Sequence, residues 1–233
     1  MKTIPYNPTN KTRATNDDDE FDGPQMLPFV KRSFAISQVN ICLDESIVEP
    51  KYYRAVLSEM QTLGQHDTVN VTFASNGGSA AGMVALIEGF RNTEATVSGA
   101  IIGDCHSAAS ILAMNCDQIY VAPYASMMVH NISYGYAGKD ADILGMVNHT
   151  SAWSKKLIKE TYEGFLTDKE IDEVISGKEF WFDSDQIKER FDKREKYQEK
   201  LAKAEVKQLK TLAKKDLPTR RIGKEVSEVN AVE

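Results

Sequence analysis

No stretch of the chain approaches 18 unbroken apolar residues, so no membrane-spanning helix is expected. The opening MKTIPYNPTNKTRATNDDDE has no apolar run of the signal-peptide kind. Cysteine is scarce. Cys42, Cys105 and Cys116 are odd in number and lack metal-type spacing, so neither a disulfide framework nor a zinc site is indicated. Basic residues are not in excess, and a net charge of −6 leaves no overall nucleic-acid footprint. No internal repeat is present, which sets solenoids and propellers aside. What remains is an ordinary hydrophobic fraction of 42% over 233 residues, enough for one domain with appendages or two small ones. The balance predicts a soluble protein of a reducing, cytoplasmic compartment.

The texture of the chain divides it in three. Residues 1–28 are polar, with the acidic cluster Asp17, Asp18, Asp19, Glu20 and Asp22, and are expected to be a mobile segment. Residues 29–191 alternate strand and helix patterns. Strands are expected at 34–43, 68–75, 96–102, 118–122 and 126–130, and helices at 50–63, 80–91 and 108–115. That alternation predicts an α/β core built from crossover units. A long helix is expected at 140–165, with Ile143, Met146, Val147, Trp153, Leu157, Ile158 and Phe165 near one apolar face. TDKE at 167–170 has capping-box spacing and opens a shorter helix, and GKEFWF at 177–182 is read as extended. Residues 192–233 form a charged tail. Between 192 and 224 twelve Lys/Arg face five Asp/Glu, a net of +7. This is read as a solvated helix, with a docking or anion-binding arm as the alternative.

One constellation carries chemistry. Acyl transfer by serine needs a nucleophile, a base, a group that orients the base, and an oxyanion hole. Ser107 lies at a strand-to-helix junction among Gly103, Ala108 and Ala109, where small neighbours admit a substrate. A serine there commonly serves only as an N-cap. Ser110 competes for the role but falls inside the helix. His130 ends the strand pattern SMMVH and is the preferred base; His66 and His149 sit in polar surroundings, and His106 adjoins Ser107 too closely in sequence. Glu179 and Asp183 flank the WF pair as candidates for the third role. Backbone N–H groups of Gly78 and Ala108 are the candidate oxyanion donors, although paired glycines also mark simple tight turns.

At these residues the chain resembles the Clp-type serine peptidases of the ClpP/crotonase fold. SNGGSAAG (75–82) is similar to the family's S-P-G-G-S-x-x-A-G. GDCHSAAS (103–110) is similar to G-x-A-A-S-M-G-A, with the nucleophile on Ser107. MMVHNISYGYAGKDADI (127–143) follows M-I-H-Q-P-x-G-G-x-x-G-x-x-x-D-I without a gap, with the base on His130. GKEFWFDSDQI (177–187) resembles D-R-D-x-F-x-S-A-x-E-A, and its register sets Glu179 where the family carries aspartate. The chain departs from the pattern at Asn76 and Ile132 (for proline), Ala108–Ala109 (for Met-Gly) and Glu179. It departs also at His106, which stands for a small residue and is expected to crowd or retune the pocket.

The resemblance implies a fold of repeated β-β-α units with a protruding long helix. It further implies serine endopeptidase activity on polypeptides through Ser107, His130 and Glu179, a homo-oligomeric ring, an AAA+ unfoldase partner, and no metal or organic cofactor. A phage- or prophage-encoded member acting in the bacterial host cytoplasm is one version. The alternatives are a phage prohead protease without an ATPase, a crotonase-fold acyl-CoA enzyme, and a catalytically silent ring subunit. Nucleic acid is expected as a partner only through the basic tail.

Overall fold

The structure is a computed structural model describing residues 35–215, so the acidic segment 1–28 and the chain beyond 215 lie outside the described residues. Twelve elements follow one another as β1 (Gln38–Leu43), α1 (Arg54–Met60), β2 (Thr68–Ser75), α2 (Ala80–Asn92), β3 (Thr96–His106), α3 (Ala108–Ala113), β4 (Gln118–Val121), β5 (Ser126–Val129), α4 (Asp140–Tyr162), α5 (Asp168–Ile175), β6 (Phe180–Asp183) and α6 (Ser184–Lys215), with a short 3₁₀ turn at Pro50–Tyr52. The mixed α/β architecture agrees with the expected class. Among the described residues no helix is long and apolar enough to cross a membrane.

The six strands form one sheet in the order β1-β2-β3-β5-β6, with β4 also paired to β3. All pairings are parallel except β5 with β6. The alternation of β2 explains its place. Val69, Val71, Phe73 and Ser75 point into the core, while Thr68, Asn70, Thr72 and Ala74 take the other face. Each fully buried Val or Phe contributes about 1.5–3 kcal/mol relative to exposure. Helix α2 starts where the Ser79 hydroxyl accepts a hydrogen bond from the Gly82 N–H (3.2 Å), and it buries Met83, Leu86, Ile87 and Phe90.

Strand β3 is longer than its sequence pattern suggests. It pairs with β4 through Ser98–Ile101 and then with β5 through Asp104–His106. Against β2 its register jumps: Phe73 faces Ile101, but Ser75 faces Cys105. Two extra residues are therefore accommodated around Ile102 and Gly103, and such an irregularity bends a strand without ending it. The expected stop at Ile102 is corrected accordingly.

Helix α4 stops at Tyr162, three residues before the expected end, because Gly164 takes the left-handed conformation (φ +80°) and turns the chain. Among the described residues only its second half is packed, through Ser154, Ile158, Thr161 and Tyr162, whereas Leu144 and Met146 stand exposed. The capping box at Thr167 and Glu170 is present as read. Helix α6 runs without a break across residue 192. Its early turns are anchored, with Ile187 buried, the Phe191 ring 5.1 Å from that of Phe165, and the buried part of Arg194 donating to the carbonyls of Met114 (3.1 Å) and Thr161. Farther on, Leu201, Val206 and Leu209 are exposed.

Candidate active site

Two strand ends create the site. Chain leaving β3 at His106 must enter α3 at Ala108, and Ser107 makes the corner alone, with φ 55° and ψ −122°. It is the one non-glycine residue at positive φ among those described. Such a conformation costs on the order of 1–3 kcal/mol and persists only where surroundings enforce it. The enforcing contacts are visible. The Ser107 N–H donates to the Met128 carbonyl of β5 at 2.9 Å, and its own carbonyl receives the Ser110 N–H (3.0 Å) and the Ser110 hydroxyl (2.7 Å).

The hydroxyl of Ser107 does not cap α3. It lies 2.6 Å from Nε2 of His130, the residue that follows β5. With Nε2 unprotonated, the Ser107 O–H donates to it, which is the nucleophile–base geometry of acyl transfer. After His130 the chain is held by Asn131, whose amide donates to the Ile175 carbonyl (3.1 Å) and accepts from the Ile132 N–H (2.8 Å).

The loop after β2 supplies the facing wall. Ile47 N–H donates to the Gly77 carbonyl (2.8 Å) and Ser79 N–H to the Ile47 carbonyl (2.7 Å), while Gly77 N–H uses the Ser75 hydroxyl (3.2 Å). The Gly78 N–H between them, like the Ala108 N–H that begins α3, has no protein acceptor among the described residues. Both residues line a cavity of about 140 Å³ that also contains Ser107 and His130. Met83, Ile111 and Ile132 give that cavity an apolar side. Two free N–H groups beside a Ser–His couple can receive an oxyanion, and the apolar side can seat a substrate side chain.

The third position is less closed. Continuing the antiparallel register of β5 and β6, in which Val129 faces Phe180, sets Glu179 opposite His130 and Asp183 opposite Ser126 at the far end. The Asp183 carboxylate accepts the N–H groups of Asp185 (3.1 Å) and Gln186 (2.9 Å) at the start of α6, a local structural use. Glu179 is exposed, and among the described residues no hydrogen bond joins it to His130. Sequence reasoning thus finds its serine and histidine side by side, while the carboxylate is adjacent in register and not hydrogen-bonded to the imidazole.

The other candidates fall elsewhere. Ser110 is fully buried and shares a 2.6 Å hydrogen bond with Tyr162, whose ionisation burial pushes well above the usual range. Cys105 is buried and its thiol is likewise pushed up, first by burial. His66 and His149 lie on the surface. His106 does not line the cavity; it turns toward Asn76 and Ser126, so the expected crowding of the pocket is corrected. The Ser110–Tyr162 bond was missed by sequence reasoning, since 52 residues separate the partners and neither belongs to a recognisable motif. A larger cavity of about 310 Å³ between the end of α3 and α6 has Cys116 as its thiol, which burial and then neighbouring Asp117 push up to about 12, away from the reactive thiolate form.

No curated protein matches the chain. The family model described as Clp protease matches residues 30–190, which spans the strands, the Ser107–His130 couple and the β6 segment. By that match, over more than half its length, the chain belongs to the Clp protease family.

Proposed function

We propose that the protein is a Clp-type serine endopeptidase whose nucleophile is Ser107, whose base is His130 and whose orienting carboxylate is Glu179. The observation that carries the reading is the 2.6 Å contact between His130 Nε2 and the Oγ of a serine held at φ 55°. A strained corner that presents a hydroxyl to an imidazole has no evident structural purpose, because the hydroxyl caps nothing. Family membership supports a peptidase of this type.

In the reaction, Ser107 Oγ attacks the scissile carbonyl carbon while His130 Nε2 takes its proton. The carbonyl oxygen gains negative charge and is met by the N–H groups of Gly78 and Ala108. Collapse of the tetrahedral intermediate breaks the C–N bond, and His130 returns the proton to the leaving amine. Water, deprotonated by His130, then releases the acyl group and restores Ser107. Glu179, rotated toward His130, would fix the Nδ1–H tautomer and stabilise the imidazolium. A homo-oligomeric ring fits the exposed Leu144 and Met146 on α4, and an AAA+ unfoldase would then deliver substrate. A second reading, a catalytically silent ring subunit, draws on the lack of a hydrogen bond between Glu179 and His130 among the described residues.

The deciding experiment is labelling with a fluorophosphonate probe followed by mapping of the modified residue. Labelling at Ser107, lost in Ser107→Ala together with at least a ~10³-fold fall in peptide cleavage, is expected. Labelling at Ser110 or Cys105 overturns the assignment of Ser107 as nucleophile, and no labelling of a protein that forms rings overturns the peptidase reading in favour of the silent subunit.

A further inference from the structure

We propose that His106 is a positioning residue that ties together the two backbone segments facing the Ser107–His130 cavity; the inference rests on the peptidase reading above. The topology makes the tie available. Ser75 and Cys105 are the last residues paired between β2 and β3, so Asn76, the first residue beyond β2, comes level with His106, the last residue of β3. Asn76 immediately precedes Gly77–Gly78, and His106 immediately precedes Ser107–Ala108. Each therefore stands one residue before a segment that lines the cavity.

Their side chains meet. His106 Nδ1 lies 3.0 Å from the Asn76 amide oxygen, which can only accept, so Nδ1 carries the proton. In the neutral ring Nε2 is then an acceptor, and the Ser126 hydroxyl of β5 lies 3.2 Å away to donate. One tautomer satisfies both ends. The residue is only 7% exposed and its ring stands edge-on to Trp181 of β6 at 5.0 Å, so it is fixed by packing as well as by hydrogen bonds. Asp104, 3.6 Å from Nε2, is an exposed neighbour on the same strand.

What the tie holds is the seat of the oxyanion. Gly77 is packed so tightly on the Ser107 corner that a Cβ built there would lie 2.7 Å from Ser107 Cβ and 2.9 Å from the Ala108 nitrogen. The separation of the Gly78 and Ala108 N–H groups therefore depends on how closely these two segments are held. Asn76 is itself exposed, and nothing in its own burial would fix it. The Ile47 and Ser75 hydrogen bonds hold the loop from the β1 side, and the His106–Asn76 bond adds the side-chain tie between the two segments themselves, from outside the cavity.

The test uses the full-length protein and the variants His106→Ala, Asn76→Ala and the double variant, with wild-type Ser107 labelling checked first. Peptide turnover should fall about tenfold in each single variant with KM within twofold, since loss of transition-state contacts lowers kcat and not ground-state binding. The double variant should be no worse than the worse single, because both remove the same bond. Hydrogen exchange read by mass spectrometry should speed up at residues 76–79 while β2 and the rest of β3 keep their protection. Independent, multiplying effects of the two substitutions overturn the proposal, as does unchanged kcat, or an exchange increase spread evenly over the sheet. A wild-type protein that fails to label at Ser107 refutes the peptidase reading instead. The exchange measurement, which needs no activity, still decides whether His106 holds the loop.

Discussion

Adding one methyl group at residue 77 is a sharp test of how the candidate site is built. Gly77 has φ +94°, a backbone state that costs an L-residue about 1–2 kcal/mol. In addition, the new Cβ would stand 2.7 Å from Ser107 Cβ, 2.8 Å from the His106 carbonyl oxygen and 2.9 Å from the Ala108 nitrogen. None of these is the free end of a flexible side chain, so backbone must move, and such overpacking typically costs about 1–3 kcal/mol. Gly77→Ala should therefore destabilise by about 2–5 kcal/mol, out of the ~5–15 that a domain usually has. At roughly 2–4 °C per kcal/mol for a chain of this size, Tm should drop by about 4–20 °C. Gly177→Ala separates the two causes, because Gly177 has φ +103° but open space where its Cβ would go. It should show the dihedral cost alone. Gly145→Ala, inside α4 with open space and no positive φ, should be neutral or stabilise by about 0.5–1 kcal/mol. Where Gly77→Ala still folds, probe labelling of Ser107 should slow about 10²-fold, the usual consequence of a misplacement near 1 Å. If Gly77→Ala matches Gly177→Ala in both Tm and labelling rate, the close packing of the two segments is not what positions Ser107.

Three further outcomes are expected. Glu179→Gln should lower peptide turnover by up to about 10⁴ while Asp183→Asn changes stability more than turnover, and steady-state kinetics on both variants will separate them. The Arg190 guanidinium, donating to both carboxylate oxygens of Glu170 (2.7 and 3.1 Å), holds Glu170 at about 2, below its usual 4.5. A depressed carboxylate stabilises the fold above its unfolded value, and that contribution disappears as pH falls from about 4.5 through 2. Glu170→Gln should thus cost about 1–3 kcal/mol at pH 7, and denaturant titrations of wild type and variant should converge near pH 2. Truncation after residue 191 removes Arg194 and leaves the Met114 and Thr161 carbonyls without their donor, so Tm should fall even though most of the removed helix is exposed.

Much of this architecture is legible in the sequence because the local signals agree with the tertiary ones. Thr68–Ser75 alternates cleanly, and its one-sided burial follows. The capping box at Thr167 needs only neighbours in sequence. Long-range facts resisted. The bend in β3 depends on which partner each half of the strand finds, since β4 and β5 share it. The bond between Asn76 and His106 spans 30 residues and arises only from the β2–β3 register. Alternation could not choose between Glu179 and Asp183, as both fall on one face of an extended segment. Antiparallel pairing with β5 does distinguish them by distance along the strand. Of the apolar face expected along the long helix, only the C-terminal half is buried against other described residues, and Phe165 lies beyond the helix end.

The four residues of β5 link folding fidelity to chemistry through parity. Met127 and Val129 are fully buried, while Ser126 and Met128 occupy the opposite class, to which His130 also belongs by count. A slip of one residue would expose both core side chains and turn His130 away from Ser107 in the same step. A compact molecule with β5 misaligned and the imidazole lost is therefore not a low-energy option. The hydrophobic core proofreads the placement of the base, so whatever fraction of chains folds should carry the serine–histidine pair assembled.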